Sequence, residues 1–486
     1  MQHLNRYLCI ALLLLMAGNA CAQQDIPPLT LKTLLSKIGN TAPSLITDSA
    51  GISIKQAQAV ETRNNWLPNL KLNYQADIGT NNNTAGPYFG FGIIPSNSRG
   101  VRDQSNTSAT LTNLGIAALD WEVYNFGAYR AQNKVAGSEV QLAQDQFQQS
   151  KYQLQTYAIG YYLQLLRLQD YINIQQKNIR RNEEIVRSIR SLAKSGVRPG
   201  VDTSITEAEL SKARLNNIEL ENQLKQVQLR LAQMSGLPAD RIVPDTTIET
   251  KLTASVLLPA ISDADTTNHP LINYYKSLLQ NSVAQENLVK KQYNPKILLE
   301  AAAWGRGSSV DANDHFNNLS SGWGFDRNNY LVGIGISYNL FDIRRRQLKL
   351  SSQRAATDYA QKKLNEQKSL LSLGISQANV ELNTARARLK EIPNQLKAAD
   401  AGYRQKLSLY KNGLTDIIDL NAALNILYRA ETDYVQARYA FSSALFQKAL
   451  SGNEVNTVLN LLTKNRTLCQ WSHPRLKGPS QRWLLP

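Results

Sequence analysis

The stretch KSGVRPGVD, Lys194 to Asp202, is answered later in the chain by KNGLTDIID, Lys411 to Asp419. Lysine, glycine and the final aspartate keep their spacing, and each is displaced by 217 residues, as from Gly196 to Gly413. A recurrence at a fixed offset marks a duplicated architecture. The same offset aligns a second pattern. Ala158, Leu165, Ile172, Ile179 and Val186 recur every seven residues, and 217 positions on stand Ile375, Leu382, Leu389, Leu396 and Tyr403. Ala378, Ala385, Ile392 and Ala399 fill the complementary positions of the second ladder. Paired apolar positions in a seven-residue repeat are how helices pack along a shared seam.

Outward from these turns, each ladder belongs to a helical stretch, from about Gly127 to Lys194 and from about Arg344 to Lys411. At ~1.5 Å per residue each reaches on the order of 100 Å. Pro393 is expected to kink the second, because it removes a backbone donor and crowds the preceding turn. After each glycine turn a helix returns, from about Asp202 to Met234 and from Asp416 to Leu450, the latter with Leu420, Leu427, Tyr434 and Phe441 at heptad spacing. Each copy is thus a helical hairpin, and plain coiled-coil packing accounts for its apolar residues.

Before each hairpin the texture changes to strand, at Leu70 to Ile78 and Thr110 to Phe126, then at Ile297 to Trp304 and Tyr330 to Phe341. Pro68 and Pro295 mark the helix-to-strand entries, since the residue before proline is pushed to extended backbone. The segments from Gly79 to Ala109 and from Gly305 to Asn329 are rich in Gly, Asn and Ser and read as long exposed loops. Val332, Ile334, Ile336 and Tyr338 alternate with Gly333, Gly335, Ser337 and Asn339. Such alternation fits a soluble sheet with one wet face or a lipid-facing barrel. Four strands do not close a membrane barrel, which starts at about eight, and an open edge is untenable in lipid.

The N-terminus, with Arg6, an apolar run from Ile10 to Ala17, and Ala20 and Ala22 flanking Cys21, reads as a secretory signal over residues 1–22. Lipidation of Cys21 is the alternative fate of that site. Cys9 lies in the signal and Cys469 near the end, so the mature chain has no pair to oxidise. After the signal no apolar run is long enough for a membrane helix, although 42% of the residues are hydrophobic. The formal charge of +16 is dispersed along helical stretches, and export argues against a nucleic-acid partner. An anionic cargo or lipopolysaccharide remains compatible with it. Only His3, His269, His315 and His473 occur, without metal spacing or a nucleophile motif, so neither enzyme nor cofactor is expected.

Together these features resemble the TolC-like outer-membrane efflux proteins over about Pro28 to Gly452. The matching pieces are Trp66, Leu67 and Pro68; Asn339, Leu340, Phe341 and Asp342 with Arg344 and Arg345; and the two glycine turns. The resemblance implies a mainly α chain with a transmembrane β-barrel. Three copies form a homotrimer with a twelve-stranded barrel in the outer-membrane lipid and a periplasmic helical tunnel. It divides the chain into a first repeat (23–236), an equatorial linker (237–267), a second repeat (268–452) and a tail (453–486) expected to be poorly packed from Lys464 onward. Leu29 to Asn65 and His269 to Lys291 become shorter helices of the tunnel wall.

The resemblance further implies that the glycine turns form the periplasmic tip. There an adaptor protein would dock, joining the duct to an inner-membrane transporter of the RND or ABC type. The tip residues are Gly196, Asp202, Gly413 and Asp419. Asp419 corresponds to an aspartate that rings the aperture, and Asp202 to a partner in the bonds that hold it shut, with Tyr410 within reach. Thr415 stands where an arginine would bond across the tip and Ala422 where a second acidic ring would lie, so Asp416 is an alternative ring former. Asp202 and Asp419 are also placed to cap helices, where carboxylates meet free amides. The expected function is an exit duct of a tripartite pump or type I secretion system. The alternative is an exported coiled-coil scaffold or adhesin without a pore.

Overall fold

The computed structural model describes residues 28–82, 104–196, 199–254 and 268–464. The expected signal peptide, all three cysteines and the tail beyond Lys464 lie outside these residues. The order is α1 (Leu31–Thr41), α2 (Pro43–Asn64), β1 (Asn69–Thr80), β2 (Ala109–Tyr124), α3 (Ala128–Lys194) and α4 (Gly200–Ser235), then α5 (Thr247–Ala254) and α6 (Pro270–Gln292). There follow β3 (Lys296–Ser308), β4 (Arg327–Ser337), α7 (Asp342–Lys411), α8 (Ile417–Ser451) and α9 (Val455–Lys464). The described residues divide into two compact units, one within 51–144 and 275–363, the other within 1–50, 145–274 and 364–486.

In the first of these units the strands form one antiparallel sheet in the order β1-β2-β3-β4. β1 and β3 begin one residue after Pro68 and Pro295, where the extended backbone demanded before each proline runs into the ladder. Direct partners share a face, so the register sorts the sheet. Leu70, Leu72 and Tyr74 of β1 lie level with Leu119, Ala117 and Gly115. Those in turn face Ala301, Ala303 and Gly305, and β4 continues the face through Val332 and Tyr330. Lys71, Asn73, Gln75 and Asp77 lie on the other face. One face is therefore aliphatic and aromatic, the other largely polar. Every residue of the two edge strands is exposed.

Strand limits differ from expectation at both ends of the sheet. β4 stops at Ser337 rather than Phe341, because Asn339 turns the chain, its side chain accepting from the Phe341 N–H at 3.1 Å. β2 stops at Tyr124, with Phe126 and Gly127 both at positive φ. The segment from Gly305 to Asn329, expected as a long exposed loop, is instead partly strand and partly a folded connector. Its Phe325 ring lies on the apolar face, where a methyl group at Gly115 or Gly305 would come within 2.9 or 2.8 Å of it. Asn113 donates to the Trp323 carbonyl at 2.7 Å and holds the connector down. Polar composition concealed this, because the docking surface is made by glycines on two neighbouring strands.

In the other unit, α1, α3, α4, α5, α8 and α9 share one apolar core around Leu34, Tyr162, Leu165, Leu231, Leu252 and Phe446. The expected equatorial linker is described to Ala254, and there it is not a mere connection. Ile242, Ile248 and Leu252 are buried, and the Tyr162 hydroxyl donates to the Leu29 carbonyl at 2.8 Å while accepting from the Asp245 N–H at 3.0 Å. The expected tail likewise begins as helix α9, with Val455, Val458 and Leu459 buried. Toward the turns a second cluster joins Ile185, Ile189, Tyr403, Tyr410, Leu420 and Leu427, the seam that the heptads required. α7 runs through Pro393 without a break. The proline is exposed, so water can serve the carbonyl left without its amide partner.

Candidate functional site

Both turns rest on glycine in the left-handed region, Gly196 at φ +72° and Gly413 at φ +78°. Among the described residues, nothing beyond the chain neighbours lies within 4 Å of a Cβ placed at either position. Backbone conformation rather than crowding therefore demands glycine there, as at many helix C-termini. After Gly413 the chain enters α8 through Asp416, whose side chain accepts from the Asp419 N–H at 2.8 Å. The capping role considered for Asp202 and Asp419 thus falls to Asp416. α4 starts from Pro199 without a side-chain cap.

Asp419 has a different environment. Its Oδ2 accepts from Lys406 Nζ at 2.6 Å and from the Thr415 hydroxyl at 2.9 Å. These bonds, the lysine's first, hold its carboxyl below the usual carboxylate range. Lys406 and Asp419 lie seven residues before and six after Gly413, so folding at the glycine brings them face to face. The heptads do not mark Lys406, although its symmetry with Asp419 about the turn is a usable signal. Thr415, which lacks the reach for the arginine bond across the tip, serves Asp419 within its own turn.

In the first copy the position equivalent to Lys406 is Ile189, which is buried. Asp202 therefore has no lysine across its own hairpin. Only 8% exposed, it accepts from the hydroxyl of Tyr410, itself 1% exposed, at 3.4 Å. That bond is long for two oxygens, and it joins the returning helix of one hairpin to the outgoing helix of the other. Higher in the same unit, Arg181 forms a bidentate pair with Glu431 at 2.7 and 2.8 Å, linking α3 to α8. Of the described histidines, His269 Nδ1 accepts from the Leu271 N–H at the start of α6, and His315 pairs with Asp311.

A duplicated strand pair and long helical hairpin, turned on left-handed glycines, define a mainly helical protein with one open four-stranded antiparallel sheet. The family model described as outer membrane efflux protein matches residues 34–237 and 266–447. The chain belongs to that family, and is an outer-membrane efflux channel protein. Among solved structures it is similar to the outer-membrane channel OprN, with 19% identity, coverage of 87% of this chain and 90% of that one, and a TM-score of 0.69. The outer membrane protein VceC of Vibrio cholerae gives 15% identity, 87% and 95% coverage and a TM-score of 0.68. The CmeC outer membrane channel of Campylobacter jejuni gives 13%, 91% and 91%, and 0.69. No curated protein sequence matches the chain.

Proposed function

We propose that three copies of this chain join sheet edges into one barrel in the outer membrane. The trimer is the passive exit duct of a tripartite efflux pump or type I secretion system. The sheet supports this reading most directly. Its edge strands are open, and they expose Leu72 at 78%, Ile334 at 76% and Ile336 at 75%. Unpaired backbone at such edges needs strand partners in lipid, and a second copy of the same sheet supplies them. Trp66 and Trp121, 6.0 Å apart, lie at the helix end of the aliphatic band, and Tyr74 and Phe325, 6.4 Å apart, toward its loop end. Aromatic girdles of this kind flank the lipid-facing band of membrane barrels. Leu215, Ile218 and Leu229 on α4 are also exposed, as are Leu373 and Val380 on α7. They offer apolar surface to neighbouring copies.

In this reading the turns meet a periplasmic adaptor through exposed Val201, Leu414 and Ile418, and an inner-membrane RND or ABC transporter selects the cargo. The deciding experiment is purification from outer-membrane fractions. The expected product is a detergent-resistant trimer that conducts ions across planar bilayers; a nonconducting scaffold overturns the reading. Asp416 and Asp419, repeated threefold, form an acidic ring at the aperture, and the Asp202–Tyr410 bond holds it narrow. Because Lys406 and Thr415 hold the Asp419 carboxyl down, it stays charged to lower pH than an unpaired carboxylate, and cation preference is expected to persist correspondingly further. Neutralising both carboxylates with Asp416→Asn and Asp419→Asn is expected to reduce that preference in single-channel recordings. Unchanged selectivity would remove the ring from the account.

A further inference from the structure

On the polar face of the sheet, partners in direct register form rows across the strands. At the helix end one row contains Asp120 and Glu300. Six residues farther along β3, about 20 Å at ~3.3 Å per residue, another row runs Gln75, Leu114, Arg306 and Arg327. Its two arginines are direct cross-strand partners, and both are exposed. Like charges placed directly opposite destabilise a sheet unless something lies between them. The other cations of this face are answered, Lys71 by Asp120 at 3.8 Å and Lys296 by Glu122 at 2.6 Å. Among the described residues Arg306 and Arg327 make no ion pair. The nearby carboxylate of Asp326 is engaged elsewhere, its Oδ2 accepting from the Ser308 N–H at 3.2 Å.

We propose that Arg306 and Arg327 form an anion-binding station at the outlet of the channel, for soluble solutes bearing carboxylate or phosphate groups. The inference rests on the barrel reading above, in which the aliphatic face meets lipid and the polar face lines the lumen. Threefold repetition then sets six guanidinium groups around the outer mouth. Each presents a rigid fork of donors matched to two anionic oxygens. A ring of arginines raises the local anion concentration and favours anion passage. Along the lumen of that barrel the acidic row lies at the helix ends of the strands and the basic row toward their loop ends, with the Asp77 carboxylate one row beyond it accepting from the Gln75 amide at 2.8 Å.

The test is single-channel recording of the purified full-length trimer under a potassium chloride gradient, with citrate added on the loop side. Wild type is compared with Arg306→Gln/Arg327→Gln and with Arg306→Lys/Arg327→Lys. The glutamine pair is expected to lower the chloride-to-potassium permeability ratio at least threefold and to abolish slowing of the current by citrate. The lysine pair keeps most of the selectivity and loses part of the citrate effect. Conducting glutamine channels with unchanged selectivity and citrate response would overturn the station while leaving the channel reading intact. Absence of conduction in wild type would overturn the channel reading itself. A difference that appears only in bilayers containing lipopolysaccharide would assign the arginines to lipid phosphates and overturn the luminal role.

Discussion

Val332→Arg is expected to eliminate the detergent-resistant oligomer from outer-membrane fractions. Val332 stands on edge strand β4, opposite Ala301 on the aliphatic face, one row nearer the centre of the band than Trp121. An arginine facing lipid near the membrane midplane costs about 2–4 kcal/mol. Three copies bring the cost to roughly 6–12 kcal/mol, comparable to the whole stability of a domain, about 5–15 kcal/mol. On a sheet face that stayed in water the same exposed substitution would change stability by no more than about 0.5 kcal/mol. Asn73→Arg, on the polar face of β1, is the matched control and is expected to assemble. Equal assembly of the two variants in membrane fractions would contradict the lipid-facing assignment.

Arg438→Met is expected to produce the largest loss within the helical unit. Arg438, on α8, pairs with Asp170 of α3 at 3.4 Å and with Glu249 of α5, with all three side chains less than one-fifth exposed. Removing the cation leaves two neighbouring carboxylates in a poorly hydrated site, at a cost of about 3 kcal/mol, the low end for breaking a buried pair. Burial first, and then Asp170, push the Glu249 carboxyl up to about 7 even with the arginine present. Because the folded state holds this proton more tightly than the unfolded chain, the group's favourable contribution is complete below the ordinary carboxylate range. It is lost as pH rises through about 7. Without Arg438 that dependence steepens. The variant's unfolding temperature in detergent should therefore lie far below wild type at pH 8 and recover part of the gap at pH 5. A deficit independent of pH would rule out carboxylate repulsion as its cause.

Much of the candidate site was legible before folding was known. Gly196 and Gly413 were evident because a left-handed turn between two long helices has few alternatives to glycine. Asp202 and Tyr410 were paired through the resemblance, although 208 positions separate them. Lys406 was not legible, because heptads mark the buried seam and not what faces it across a turn. Arg306 and Arg327 carried no signal as single residues. Their meaning depends on register, and a one-residue slip would move one arginine to the opposite face.

By itself the sequence determined the duplicated plan, the helical hairpins and the strand entries, because helix periodicity, glycine turns and proline constraints act over a few neighbouring residues. Tertiary structure alone decided that Phe325 folds onto Gly115 and Gly305, that the expected linker and tail lend Ile248, Leu252 and Val458 to the core, and that Asp202 and Asp419 take different partners. Those outcomes depend on side chains far apart in the chain meeting at close range, and local periodicity does not encode such distances.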